Sequence, residues 1–261
     1  MPTVLFVAAH PDDDLFGIGC SMVLHASDPD LQFVLIHATD GEAGDIALAS
    51  GVTPDQLGEA RRLETEESWK VIGHTPDRHE WLGFPDGNLV GVDREALSEP
   101  IRAVMEEERP DVVCTFGPNG ITGHPDHIVL SHITTELFEA MAGDGGPGLH
   151  RLLYSVIPQS WIDSWNAARE LAGLWTWDPE QPFHLRGVPD ETVGVDVDTH
   201  STVDTMMEAI RRHRTQWVYD DPAAEQELAR SLVGEHWVIA WPPRPPGGPV
   251  LSDIFEGLPP R

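Results

Sequence analysis

Short apolar runs alternate with longer amphipathic segments along the first half of the chain. Four of these runs predict strands, at residues 3–9, 31–38, 80–82 and 111–116. The run at residues 3–9 is almost continuously apolar, which is typical of a strand buried on both faces of a parallel sheet. Because helical patterns separate the runs, the sequence predicts a βαβ series through residue 142.

Apolar residues recur every three or four positions between these strands. This spacing and its flanking signals predict helices over residues 15–26, 53–72, 93–108 and 128–141. The second helix has the clearest start, because Thr53 suits the N-cap, Pro54 the first helical position and Gln56 the return contact of a capping box. We expect that helix to end before Gly73.

The pattern becomes less regular after residue 142. Strands are expected at residues 151–157 and 192–197, with a tryptophan- and proline-rich segment at 161–189 between them. The spacing of apolar residues at 203–210 predicts an amphipathic helix, and the Pro- and Gly-rich tail from residue 242 is expected to wrap the surface. We therefore predict an α/β protein with a mostly parallel sheet and an irregular C-terminal part. Residues 1–261 are expected to form a single domain, with a core at 1–142 and a part at 143–261 that completes the pocket.

Charge narrows the possible partners. The 261 residues include 44 acidic and 16 basic side chains, for a net charge of −28. This balance argues against nucleic acid and anionic membrane surfaces, which attract clustered Lys and Arg. Lys70 is the single lysine, a composition that fits a high-salt interior and an arginine-biased genome equally well. A small neutral or polar substrate is the expected partner, and homo-oligomerisation stays open.

The sequence features that report on cellular compartment agree with one another. The sequence opens on a short apolar run without a basic region before it, so no signal peptide is predicted. No apolar stretch approaches the roughly 20 residues of a membrane span. Cys20 and Cys114 are expected to be buried free thiols. Together these features predict a cytoplasmic protein.

Two runs rich in histidine and aspartate follow predicted strands. The run AHPDDD, residues 9–14, follows the first strand, and GHPDH, residues 123–127, follows the fourth. Since the carboxyl ends of parallel strands meet at one edge of a sheet, the two runs form one site if those strands are neighbours. Imidazole and carboxylate ligands with one position left for water are typical of hydrolytic zinc centres. The pair predicts a metal-dependent hydrolase.

The spacing within these runs suggests separate roles. His10 and Asp13 can converge on one cation, and His127 or His124 is the obvious third ligand. Asp12 could then act as general base toward water acidified by the metal. A histidine that does not bind metal could face the substrate, while the aspartate between the two histidines holds an imidazole in its useful tautomer.

Both runs resemble the PIG-L/LmbE-like family of zinc-dependent N-acetylglucosaminyl deacetylases. Four weaker runs resemble further family motifs in the same order: residues 39–44, 61–73, 82–87 and 213–216. The resemblance implies a Rossmann-like three-layer fold. It also implies hydrolysis of the N-acetyl group of an N-acetylglucosamine-type aminosugar conjugate.

The resemblance also implies particular residue roles. One zinc ion per chain is implied, with the ligands His10, Asp13 and His127. Asp12 is implied as general base and His124 as the group that stabilises the oxyanion, with Asp126 behind it. Arg61 and Asp86 match positions that bind sugar hydroxyls, with Arg62 as the register alternative to Arg61. Asp14 stands where Glu is usual, and Thr122 stands where some members carry a tyrosine, so His124 or Asp12 would have to protonate the leaving amine.

Other interpretations stay open at the level of sequence. The arginines at 61 and 62 could be solvated helix charges, and Asp86 could serve only its Pro-Asp-Gly turn. The tryptophans of 161–189 could form a sugar-stacking rim or pack in a satellite core. Alternative functions are a zinc amidase for a larger amide such as a thiol conjugate, a two-metal phosphoesterase, or a non-catalytic sugar-binding protein that retains the motif.

Overall fold

One sheet of seven strands organises the protein in a computed structural model that describes residues 2–218, 221–245 and 247–259. The strands are β1 (Thr3–Ala8), β2 (Gln32–His37), β3 (Arg78–Trp81), β4 (Val112–Phe116), β5 (Arg151–Val156), β6 (Val195–Asp198) and β7 (Gly234–Trp241). Their spatial order is β3-β2-β1-β4-β5-β7-β6. Neighbours among the first five strands are parallel, whereas β7 is antiparallel to both β5 and β6.

Helices cover both faces of this sheet. They are α1 (Cys20–Leu24), α2 (Leu57–Ile72), α3 (Arg94–Glu108), α4 (Gly120–Gly123), α5 (Pro125–Ala142), α6 (Gln159–Leu171), α7 (Val203–Ile210) and α8 (Pro222–Ser231). The sheet separates two apolar clusters, and successive residues of β1 point into opposite ones. Phe6 packs in the cluster with α1, α2 and α7, whereas Val7 packs in the cluster with α3 and α5. The three-layer α/β fold with a mostly parallel sheet is therefore confirmed.

The C-terminal half is more regular than the sequence indicated. The segment 161–189 contributes most of α6, and α8 and β7 had no predicted counterpart. The tail does more than wrap the surface, because Ile254 is fully buried and its carbonyl accepts a hydrogen bond of 2.6 Å from Arg151. Residues 246, 260 and 261 of that tail lie outside the described residues.

The two cysteines lie in the protein interior. Cys20 and Cys114 are free and buried. No helix within the described ranges, 2–218, 221–245 and 247–259, combines the length and apolar character needed to cross a membrane.

β1 and β4 lie side by side, as the placement of the two motifs required. In the parallel register Val4 lies opposite Val112 and Phe6 opposite Cys114. The turns that follow these strands therefore leave the sheet at the same edge, which is where open α/β sheets place their ligands.

Candidate functional site

The first turn is held by its own aspartates. The backbone N–H of His10 donates to Asp13 Oδ2 at 2.7 Å, and the N–H of Asp12 donates to Asp14 Oδ1 at 3.1 Å. Asp12 has φ +95°, a backbone conformation that non-glycine residues rarely adopt. A π-helical turn, Leu15–Gly19, then leads into α1. Strained backbone and π-turns are both found preferentially at functional sites.

The second turn begins α5 with a histidine cap. His124 is the N-cap, Pro125 occupies the first turn, and His124 Nδ1 accepts a hydrogen bond of 3.2 Å from the backbone N–H of Asp126. An imidazole that accepts at Nδ1 carries its proton at Nε2 when neutral. The structure thus gives His124 an N–H donor on the side away from the helix.

His127 and His10 are each oriented by an acceptor on one ring nitrogen. His127 Nδ1 lies 3.2 Å from the carbonyl oxygen of Gly120, and its ring stacks on Phe116 with centroids 3.9 Å apart. His10 Nε2 lies 3.0 Å from Asp86 Oδ1. Because these nitrogens donate, the lone pairs are at His127 Nε2 and His10 Nδ1.

Those two lone pairs converge with the carboxylate of Asp13. His127 Nε2 and His10 Nδ1 are 3.2 Å apart, and each lies 3.3 Å from an oxygen of Asp13. Ligands about 2.0–2.1 Å from a tetrahedral zinc are separated by about 3.3–3.4 Å. Three acceptors at this spacing are brought together either by a proton or by a metal cation, and their ligand types and separations fit zinc.

Nitrogens of His10, His124 and His127 also form a compact set, as do donor atoms of His10, Asp86 and Asp126. The second set is explained by hydrogen bonding, since both carboxylates accept from His10 Nε2, with Asp126 Oδ2 at 3.4 Å. These contacts orient His10 from behind, as carboxylates do for metal-binding imidazoles.

The electrostatics favour positive charge at the cluster. Burial by itself lowers the pKa of His10, but hydrogen bonds to Asp126, Asp13 and Asp86 outweigh it and raise that pKa well above its ordinary value. Burial, followed by the neighbouring imidazoles of His10 and His127, lowers the pKa of His124, so its neutral form is favoured. The surroundings that stabilise a protonated His10 would equally stabilise a divalent cation.

Asp12 stands beside the cluster with a different environment. Burial raises its pKa to about 6, against the opposing effect of Arg61. Its Oδ2 lies 3.2 Å from Arg61 Nη2. A carboxylate that is ionised near neutral pH but more basic than usual is suited to accept a proton.

Asp126 occupies a different place from the one expected. Its carboxylate is fully buried, accepts from the backbone N–H groups of Gly87 and Leu89 at 2.8 and 2.9 Å, and contacts His10. The contact with His124 is made by the backbone N–H of Asp126. The carboxylate therefore stands behind His10 rather than behind His124.

Arg61 and Arg62 are clearly separated by the structure. Arg61 is 4% exposed and bonds to the carbonyl of Gly41 as well as to Asp12. Arg62 faces away, pairs with Asp40 at 2.6 Å and lies over the ring of Trp81. Arg61 is the arginine that contacts Asp12, and it holds the first turn and the following loop together.

Sequence reasoning missed a polar layer behind the first turn. Asp14 is fully buried and accepts from the indole N–H of Trp69 and from His37 Nε2 at 3.2 Å. Beside it, buried Glu64 accepts from the N–H of Thr215 at 2.9 Å and from its hydroxyl at 2.6 Å. The helical spacing of 64, 65, 68 and 69 carried this signal, since polar residues share the stripe that faces the sheet.

The tryptophan rings of the aromatic segment contact one another. Trp161 stacks on Trp165 with centroids 4.8 Å apart, whereas the rings of Trp175 and Trp177 meet edge to face. Phe183 of the same segment lies against the second turn, with its ring 5.2 Å from the ring of His124. Phe183 is 58% exposed and has φ +58°.

The fold and the cluster define an α/β protein with its reactive side chains at the carboxyl edge of a parallel sheet. The PIG-L family, described as GlcNAc-PI de-N-acetylase, matches residues 5–138. The chain belongs to this family.

Similar proteins support that assignment over most of the chain. A 1D-myo-inositol 2-acetamido-2-deoxy-alpha-D-glucopyranoside deacetylase of Saccharomonospora viridis is 32% identical, covering 98% of this chain and all of that protein. Deacetylase 2 of the same description from Saccharopolyspora erythraea is 29% identical, with 97% and 100% covered. The N,N'-diacetylchitobiose deacetylase structure from Pyrococcus horikoshii shares the fold, with TM-score 0.63 at 21% identity, covering 91% of this chain and 83% of that one.

Proposed function

We propose that the protein is a zinc-dependent hydrolase that removes the N-acetyl group from an N-acetylglucosamine-type aminosugar conjugate. The observation that carries this proposal is the convergence of His10 Nδ1, His127 Nε2 and the Asp13 carboxylate within 3.3 Å of one another. The named activity of the relatives supports it, and their inositol glycoside is the first substrate to test.

His10, Asp13 and His127 would hold one zinc ion per chain. The chemistry supplied by a bound zinc ion is Lewis-acid polarisation of the amide carbonyl and acidification of water. Asp86 and Asp126 keep the proton of His10 on Nε2, and the Gly120 carbonyl keeps that of His127 on Nδ1. Each imidazole thereby presents its lone pair to the same point.

Asp12 and His124 would carry out the proton and charge transfers. Asp12 takes the proton of the attacking water, which its raised pKa favours. The Nε2–H of His124 donates to the oxygen that becomes negative in the tetrahedral intermediate. Once it holds the water proton, Asp12 is available to pass that proton to the leaving amine, since residue 122 is a threonine. His124, whose lowered pKa favours the neutral form, acts as a hydrogen-bond donor rather than as the acid.

The C-terminal part would complete the pocket within a single domain. A cavity of about 190 Å³ is lined from the first turn by Asp12 and Phe16. The opposite lining comes from the C-terminal part: Ile210, His213, Gln216, Trp217 and Val218. Burial lowers the pKa of His213 to about 4, so this histidine contributes a neutral wall. We expect small aminosugar conjugates to bind between the two parts.

A His127→Ala variant tests the proposal. We expect loss of bound zinc and of acetate release from the N-acetylglucosamine glycoside of inositol, because one of three ligands is removed. His132→Ala is the matched control, since His132 is exposed on the same helix, and it should keep both properties. Full acetate release by His127→Ala would overturn the proposed function.

A further inference from the structure

The side chain of Arg186 lies against Gly123 in the second turn, in space that a side chain at position 123 would otherwise fill. Its guanidinium carbon lies 2.3 Å from the place where a Cβ of Gly123 would be. The Arg186 backbone is fixed there, because its N–H donates to the carbonyl of Ile121 at 2.7 Å and its carbonyl accepts from Asn119 Nδ2 at 3.2 Å. A distant loop thus delivers a positive charge next to His124.

Within the part of the chain that the structure describes, no protein anion pairs with the guanidinium of Arg186. Considering residues 2–218, 221–245 and 247–259, no carboxylate forms an ion pair with it within 4.0 Å, and its Nε is buried without a hydrogen-bond partner. Arg61 and Arg62 also have a buried Nε without a partner, but their terminal nitrogens pair with Asp12 and Asp40. The contrast therefore lies in the missing ion pair. In a chain with 44 acidic and 16 basic residues, an arginine left open beside the site needs an explanation.

A polar cavity adjoins this guanidinium. It has a volume of about 540 Å³ and is lined by Asn119, Gln159, Pro179, Glu180, Arg186 and Gly187. The segment that leads to Arg186 also places Phe183 against His124. Arg186 itself lines the cavity and lies against Gly123, the residue before His124. A sugar bound at His124 could extend its aglycone over Phe183 toward this cavity.

We propose that Arg186 is a specificity-determining residue that binds an anionic group, a carboxylate or a phosphate, on the aglycone of the substrate. The inference rests on the proposed function. A guanidinium offers paired N–H donors that match either oxyanion, and charge-assisted bonds of this kind are stronger than neutral ones. Glu180 also lines the cavity, and its negative charge would weaken binding of the same anion. Its removal is therefore a second test of the proposal.

Acetate release from three N-acetylglucosamine derivatives tests the proposal. They are the methyl glycoside, the glycolic acid glycoside and the 1-phosphate. We expect the wild type to show a kcat/KM about tenfold higher for at least one anionic derivative than for the methyl glycoside, which corresponds to one charge-assisted contact. The two anionic derivatives distinguish a carboxylate subsite from a phosphate subsite.

Variants then assign the preference to Arg186. Arg186→Ala should bring the ratio of anionic to neutral kcat/KM close to one, Arg186→Lys should retain part of it, and Glu180→Gln should increase it. Arg230→Ala removes an exposed arginine at the end of α8 and should leave the ratio unchanged. A merely structural role of Arg186 would lower all three rates together, and that result, or a wild-type ratio near one, would overturn the proposal.

A binding measurement separates this inference from the proposed function. Calorimetric titration with N-acetylglucosamine 1-phosphate and its glycolic acid counterpart should show about tenfold weaker binding of the preferred anion by Arg186→Ala. Absence of acetate release from every glycoside, with Arg186-dependent binding intact, would reject the hydrolase alone. Equal binding by wild type and Arg186→Ala would reject the anion subsite, whatever the activity.

Discussion

Hydrogen bonds to backbone and carboxylate groups decide which nitrogen of each imidazole is available at the site. His127 donates a hydrogen bond to the carbonyl of Gly120, and His10 donates to Asp86 and Asp126. His124 Nδ1 instead accepts a hydrogen bond from the backbone N–H of Asp126. Two rings therefore present lone pairs and the third presents a donor. The chemistry of the three histidines differs because their partners differ.

Asp12 provides the first prediction at this scale. Asp12→Asn keeps an oxygen for the contact with Arg61 but removes the basic carboxylate. We expect kcat for acetate release to fall by about 10²–10⁴, the usual contribution of a general base, with zinc content unchanged. Metal analysis of the same sample separates loss of the base from loss of the metal, and an unchanged kcat would exclude Asp12 as the base.

At the scale of elements, α2 is unusual because the stripe it turns toward the sheet is largely polar. Arg61, Glu64 and Ser68 lie on this stripe, and all are buried. Each has a distant partner: Asp12, Thr215 and His213 respectively. The helix therefore connects the first turn to the segment after α7 through hydrogen bonds, in addition to the apolar packing of Trp69 and Ile72.

Removal of Glu64 should destabilise the protein through this connection. Glu64→Ala leaves the buried N–H and hydroxyl of Thr215 without an acceptor, at a cost of about 1–3 kcal/mol for each unsatisfied group. We expect the free energy of unfolding in urea to fall by about 2–4 kcal/mol.

Glu66→Ala on the exposed face of α2 is the control, and it should change the free energy of unfolding by less than about 0.5 kcal/mol. Equal effects of the two substitutions would show that the Glu64 contact with Thr215 adds no stability.

For the whole molecule, the antiparallel strands join the C-terminal half to the sheet that carries the site. Glu235 on β7 is buried and accepts hydrogen bonds from the N–H of Ser21 on α1 at 3.1 Å and from the indole of Trp237 at 3.1 Å. The last strand is thus tied to the first helix across 214 residues of sequence.

This contact predicts a pH dependence of stability. Burial raises the pKa of Glu235 from 4.5 to about 7, with hydrogen bonds from Ser21 opposing the shift. A folded-state pKa above the unfolded value means that protonation favours folding, so the contribution is complete below about pH 4.5 and is lost as the pH rises through about 7.

Glu235→Gln mimics the protonated side chain and should remove this loss. Relative to wild type, its free energy of unfolding should rise by about 2–3 kcal/mol between about pH 5 and pH 8. Urea unfolding at both pH values measures the difference, and Glu66→Gln supplies the reference for removing one exposed carboxylate. A constant difference between Glu235→Gln and wild type would contradict the raised pKa of Glu235.

Much of this architecture is predictable from local pattern. Burial on both faces makes parallel strands continuously apolar, so β1, β2 and β4 were expected close to their observed bounds, and β1 and β4 are neighbours as the site requires. The antiparallel strand β7 went unpredicted because its pairing with β5 and β6 lies far away in sequence. Buried and half-buried residues alternate along only the first half of β7, so its sequence does not show the continuous apolar run that predicted the parallel strands.

The two histidine and aspartate runs by themselves predicted where the candidate site lies, since residue type and strand ends are local properties of the sequence. Only the tertiary structure decided which groups meet there. It placed Asp126 behind His10, used Arg61 to hold Asp12, and brought Arg186 over Gly123 from 63 residues away. Such contacts depend on how strands and helices pack across the chain, and local periodicity records that a side chain is buried but not against what.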